Sequence, residues 1–127
     1  TLGLAPAGVM VMHVCRRRSG RIQRVPLNVL VHQGAYHVVS LHGESDWLRN
    51  LRVGHDALLV RGRMEVPVDV AEELGVACRV PVLRSYLERW DGHLGVALPF
   101  DRSATEDQVR AVAPEFPVVR FKLSSRR

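Results

Sequence analysis

Five arginines, Arg16, Arg17, Arg18, Arg21 and Arg24, fall within nine residues, and no acidic residue precedes Glu44. Residues 44–127 carry thirteen basic and thirteen acidic side chains, so the net charge of +5 belongs entirely to this cluster. Guanidinium forks match the oxygens of phosphate and carboxylate, which makes the cluster a candidate anion site. Charge alone leaves three readings: a solvated turn, a nucleic-acid contact, or an anchor for a phosphorylated small molecule. Groove-reading and base-stacking need a helix or aromatic rings beside the charges, yet no Phe, Tyr or Trp precedes Tyr36, and this disfavours nucleic acid.

A second stretch joins a strand end at Ser40-Leu41 to His42, Gly43 and a helix start at Ser45. Gly43 permits close backbone approach, and a helix N-terminus offers unpaired N–H groups, which together could cradle an anionic or planar ligand. The six histidines show no His-x-x-x-His on a helix and no carboxylate at ligand spacing, so no metal site is expected. Phosphate-binding, dinucleotide and nucleophile-elbow motifs are absent as well. Cys15 and Cys78 have no Cys-x-x-Cys spacing and read as small core residues in a reducing cytoplasm.

The elements that must position these residues follow from periodicity. Residues 9–15 and 22–32 read as strands around a basic turn at Gly20. In the second strand Leu27, Val29 and Val31 share one face, while Asn28, Leu30 and His32 share the other. Gln33-Gly34 makes a hairpin turn into a strand over 35–41. Ser45 caps a short helix with Trp47, Leu48 and Leu51 at helical spacing. Strands at 56–61 and 64–70 flank Gly62, and Pro67 marks the second as an edge that could face a partner. A helix over 78–90 tolerates Pro81 in its first turn and ends at Asp91-Gly92. Ser103 and Glu106 match a capping box for a helix ending before Pro114, and 117–123 is the last strand. Tyr86, Trp90 and Phe100 could be lids but are read as core.

At 127 residues, 46% hydrophobic and 24% charged, the composition is that of one globular domain, which excludes disordered, collagenous and coiled-coil classes. The uncharged run 1–12 is broken by Gly3, Pro6 and Gly8 and falls short of the roughly 18 apolar residues that span a bilayer. Thr1, with neither a methionine nor a secretory pattern, reads as a trimmed edge. The domain is taken as 1–127, with an N-terminal segment missing and 124–127 frayed. The expected fold is mainly β (α+β): a six-stranded antiparallel barrel with two or three short helices.

Arg-Arg-Ser-Gly-Arg-Ile-Gln-Arg-Val-Pro-Leu at 17–27, followed by Tyr-His-Val-Val-Ser-Leu-His-Gly-Glu-Ser-Asp-Trp-Leu-Arg-Asn-Leu-Arg at 36–52, resembles the deazaflavin-dependent nitroreductase family. Segments 60–63, 81–87 and 113–121 look like one branch of it. The resemblance implies a split β-barrel related to FMN-binding proteins, with coenzyme F420 rather than FMN as cofactor. The implied reaction is hydride transfer to a quinone, nitro compound or enone. The same likeness places Arg17, Arg18, Ser19, Gly20 and Arg21 at the coenzyme's phosphate and acidic tail, with Pro26 beside them. Ser40, Leu41, His42 and Gly43 then lie along the ring, and Trp47 and Asn50 fix the loop and helix.

Two departures matter: the family's Gly-Arg-Pro-Arg appears as Gly20-Arg21-Ile22-Gln23, and Asn28 stands where some relatives carry a pocket tyrosine. No catalytic side chain is assigned. Asn28 through a bound water, His13 or Tyr86 could supply a proton. The competing reading is a split barrel without deazaflavin, acting as a small-molecule or lipid binder or a cofactor-independent biosynthetic enzyme. A homodimer is compatible with either.

Overall fold

The computed structural model describes residues 6–90 and 103–124; the expected stop at Asp91-Gly92, Phe100 and residues 125–127 of the tail lie outside the described residues. The strands are β1 (Gly8–Cys15), β2 (Ile22–His32), β3 (Ala35–Val39), β4 (Asp56–Arg61), β5 (Met64–Glu73) and β6 (Val118–Leu123). All pairs are antiparallel, and the barrel closes in the order β1-β2-β3-β6-β5-β4. The helices are α1 (Asp46–Gly54), α2 (Val76–Trp90) and α3 (Glu106–Val112), and a 3-10 turn at Ala113–Glu115 leads from α3 toward β6. The mainly β six-stranded barrel is the expected one.

Strand alternation divides two cores. Met10, Met12 and Val14 of β1 point inward, and across the hairpin Val29 is fully buried with Leu27 and Val31 beside it. Leu30, on the opposite face of β2, joins a second core outside the barrel. The Gln33-Gly34 turn has φ of 50° and 75°, the two positive values that a two-residue hairpin matched to strand twist requires. Trp47, Leu48 and Leu51 of α1 enter the barrel core. Val80, Leu83, Tyr86 and Leu87 of α2 cover Leu30, Val39 and Val118 from outside.

Four expectations are corrected. Pro67 is not on an edge, because β5 is paired with both β4 and β6. Its carbonyl accepts from Ser124 N at 3.0 Å, just past the end of β6, so the missing N–H falls where the ladder is ending. Pro81 is inside α2, which starts at Val76; the carbonyl it leaves free is that of exposed Ala77, and buried Val80, Val82 and Leu83 offset the loss. The capping box on α3 is Thr105 with Gln108, whose side chain and backbone groups exchange bonds of 2.9 and 3.1 Å, rather than Ser103 with Glu106. Cys15 and Cys78 are exposed free thiols, because each sits where its element meets solvent.

Candidate functional site

The basic turn is closed by its own backbone. Arg16 N donates to Arg21 O at 2.8 Å and Gly20 N to Arg16 O at 3.0 Å, while Gly20 takes φ of 75°, which suits a residue without Cβ. Arg17 then turns away from its neighbours. Its backbone N–H and its Nη1 both donate to Asn50 Oδ1, at 3.0 and 2.7 Å, and Nη1 also reaches the Asp46 carboxylate at 3.1 Å. Asn50 is 1% exposed and passes its own N–H to Gln23 Oε1 at 2.8 Å. The turn is therefore tied to α1 through a buried amide.

Gln23, noticed in the sequence as a departure, and Asp46 are functional contacts that sequence reasoning missed; an acid in the first turn of α1 was the available signal for Asp46. Arg16, Arg18, Arg21 and Arg24 are exposed, and among the described residues no hydrogen bond or ion pair engages their guanidinium groups. A cavity of about 300 Å³ is lined by Arg16, Arg17, Arg18, Ser19, Asp46 and Asn50.

The loop after β3 starts two residues earlier than expected, since Ser40 leaves the strand fully buried and donates its N–H to Pro117 O at 2.8 Å. The Ser40 hydroxyl donates to Gly43 O and lies 3.0 Å from Ser45 Oγ, and Ser45 N returns to Gly43 O at 2.9 Å. Ser45 is at the N-cap position, but its hydroxyl is turned to Ser40 and makes no cap bond. Gly43 has φ of 70°, and a Cβ there would meet nothing closer than Glu115 O at 3.9 Å, so its role is conformation rather than space. Trp47 is buried in the barrel core and seats α1. Leu41, His42, Gly43 and Glu44 form one wall of a cleft of about 510 Å³, with Pro114, Glu115, Phe116 and Pro117 opposite.

Glu44 is ion-paired with Arg52, whose hydrogen bond holds the carboxylate below its ordinary range. Arg52 bonds Glu73 as well, and the two carboxylates push its guanidinium further above its ordinary value, Glu44 contributing most.

The structure joins two of the three proton-donor candidates. Asn28 Nδ2 donates to the hydroxyl of buried Tyr86 at 3.3 Å, and Asn28 Oδ1 is buried without a partner among the described residues. Burial pushes the Tyr86 phenol above its ordinary value of 10.0, and the Asn28 bond pulls it partly back. His13 stands apart. It pairs with Arg24 and Leu58, whereas Val9 is the β1 residue opposite Asn28, four residues or about 13 Å along the strand.

β3 pairs with β2 only over Leu30–His32, so the β2 segment 22–29, exposed Pro26 included, has β1 as its one ladder partner. That segment runs from the basic turn to Asn28, about 23 Å at strand rise. The unengaged guanidinium groups at one end fit a ligand with an anionic tail.

Among the described residues no group of three or more His, Cys, Asp or Glu could hold a metal, and no helix is long and apolar enough to cross a membrane. A family model described as F420H(2)-dependent quinone reductase matches residues 2–81. No curated protein matches the chain. Solved structures with the same fold include an F420 reductase, 11% identical with TM-score 0.62 over 94% of this chain and 89% of that one. A conserved hypothetical protein, Rv2991 from Mycobacterium tuberculosis, is 17% identical with TM-score 0.63 over 94% and 74%. A FAD-binding protein from Mesorhizobium loti is 12% identical with TM-score 0.55 over 93% and 82%.

Proposed function

The chain belongs to the F420H(2)-dependent quinone reductase family and is a deazaflavin-dependent reductase, and on that premise we propose that it reduces a small organic acceptor, a quinone ahead of nitro compounds and enones. When bound, reduced F420 supplies the hydride, and the protein supplies anchoring, orientation and exclusion of water. The observation that carries the reading is the set of guanidinium groups on one backbone-closed turn that have no partner among the described residues.

In this reading Arg16, Arg18 and Arg21, with Ser19 and Gly20, hold the phosphate and acidic tail. Arg17 contributes from behind, because its guanidinium is engaged by Asn50 and Asp46. The backbone of Ser40, Leu41, His42 and Gly43 lines the ring side. Asn28 and Tyr86 orient the acceptor: the phenol stays neutral around neutral pH and so keeps a hydrogen to donate, while the amide oxygen can accept one. Both cysteines are free thiols, which supports work in a reducing cytoplasm.

The test is a fluorescence titration with oxidised F420 at two salt concentrations. Arg18→Ala and Arg16→Ala should each weaken binding by about tenfold and flatten its salt dependence, as loss of a charge-assisted contact requires. A folded barrel that does not bind F420 would overturn the reading and favour a cofactor-free pocket ligand.

A further inference from the structure

Glu44 sits between the ring-side turn at Gly43 and the start of α1, and its carboxylate faces the terminal nitrogens of Arg52, with Nη2 at 2.9 Å. The same guanidinium turns Nε and Nη2 to Glu73, the last residue of β5, at 3.1 and 2.6 Å. One side chain on the last turn of α1 thus joins the loop to the strand end behind it. Ser40 and Ser45 secure the two ends of the loop by their own hydrogen bonds, and Glu44 is the side chain that reaches from its middle to a different element. Arg79 acts on Glu44 through charge alone, with its Nε and Nη1 bonded to the carbonyls of Leu74, Ala113 and Pro114.

We propose that Arg52 is a positioning residue: clamped between Glu44 and Glu73, it fixes the 41–44 wall and so sets the ring-side face of the site. What that wall faces rests on the deazaflavin reading; how firmly it is held does not. The fork matters as well as the charge. Arg52 uses three nitrogens on two carboxylates, which a single lysine ammonium cannot reproduce. Exposed ion pairs contribute little to global stability, so the clamp can be opened without unfolding the barrel.

The experiment compares Arg52→Gln, Glu44→Gln, their double variant and Arg52→Lys with the unaltered chain. Amide hydrogen exchange of residues 41–45 is followed without coenzyme, and oxidised-F420 affinity is measured across salt concentrations. The two single variants should accelerate exchange in 41–45 and raise the Kd for F420 by about threefold to tenfold, as members of one network do. The double variant should be no worse than either single one, and Arg52→Lys should fall between. The salt dependence should stay that of the unaltered chain, because Arg16 and Arg18 are untouched. Normal exchange and normal affinity in Arg52→Gln would overturn the proposal. So would a salt dependence flattened as in Arg18→Ala, which would make Arg52 an anchor. If the unaltered chain does not bind F420, the proposed function fails while the exchange measurement still decides whether the clamp orders the loop.

Discussion

Replacing Asn50 by alanine removes the amide that ties the basic turn to α1. Three hydrogen bonds go with it: from the Arg17 N–H, from the Arg17 guanidinium and to Gln23. A neutral bond is worth about 1 kcal/mol net and one to a charged group about 1.5–3 kcal/mol, so simple addition gives about 3.5–5 kcal/mol. Water recovers part of this, since the Arg17 side chain is 23% exposed, and about 2–3 kcal/mol remains. For a domain of this size that lowers the melting temperature by about 6–12 °C. Asn50→Asp keeps the acceptor for Arg17, and Gln23 can turn its amide to donate instead, so it should lose less than half as much. Thermal and urea melts of both variants test the arithmetic. An alanine variant within about 0.5 kcal/mol of the unaltered chain, or an aspartate variant as costly as alanine, would refute the view that this amide couples turn and helix.

Tyr86→Phe leaves the Asn28 amide with neither group partnered, and should cost about 1–2 kcal/mol while raising the acceptor KM and sparing F420 affinity. Steady-state kinetics beside a titration would separate the two, and an unchanged KM would reduce the pair to core. His37 is 3% exposed, and burial, with help from His32 and Arg120, lowers its pKa from 6.5 against the pull of the Ala35 carbonyl and Glu72. The unfolded chain therefore takes up a proton near pH 6.5 that the folded chain resists. Stability from this group is complete above about pH 6.5 and drains as pH falls toward the folded value. Urea midpoints at pH 7.5 and 5.5 should differ less in His37→Gln than in the unaltered chain; equal differences would show that another group governs the acid limb.

Legibility tracked how local each interaction is. The β2–β3 hairpin and the two faces of β2 could be read directly, because alternation and a Gln-Gly turn are encoded within a dozen residues. Pro67 was misplaced because its strand is made interior by β6, some fifty residues later in the chain. Ser103 with Glu106 and Thr105 with Gln108 satisfy the same capping pattern two residues apart, and packing rather than spacing selects the second. At the site, both candidate segments meet the N-terminal half of α1, the turn through Asn50 and Asp46 and the loop through Ser45. The division of labour among the arginines was invisible, since it depends on Asn50 lying across thirty-three residues from Arg17.

The wall formed by β3 and β6 belongs to both cores: Val38 and Val119 face the barrel, while Val39 and Val118 face α2 and α3. With apolar residues on either side, hydrophobicity opposes a one-residue slip of β3 far less than in a half-exposed strand. The alignment must come from the two-residue turn at Gln33-Gly34, which fixes His32 opposite Ala35 and thereby numbers every position after it. An added residue in that turn would carry Val39 into the buried place where the Ser40 hydroxyl meets Gly43 and Ser45. A hairpin tip remote from the arginines thus acts as the ruler by which the ring-side loop is cut to length.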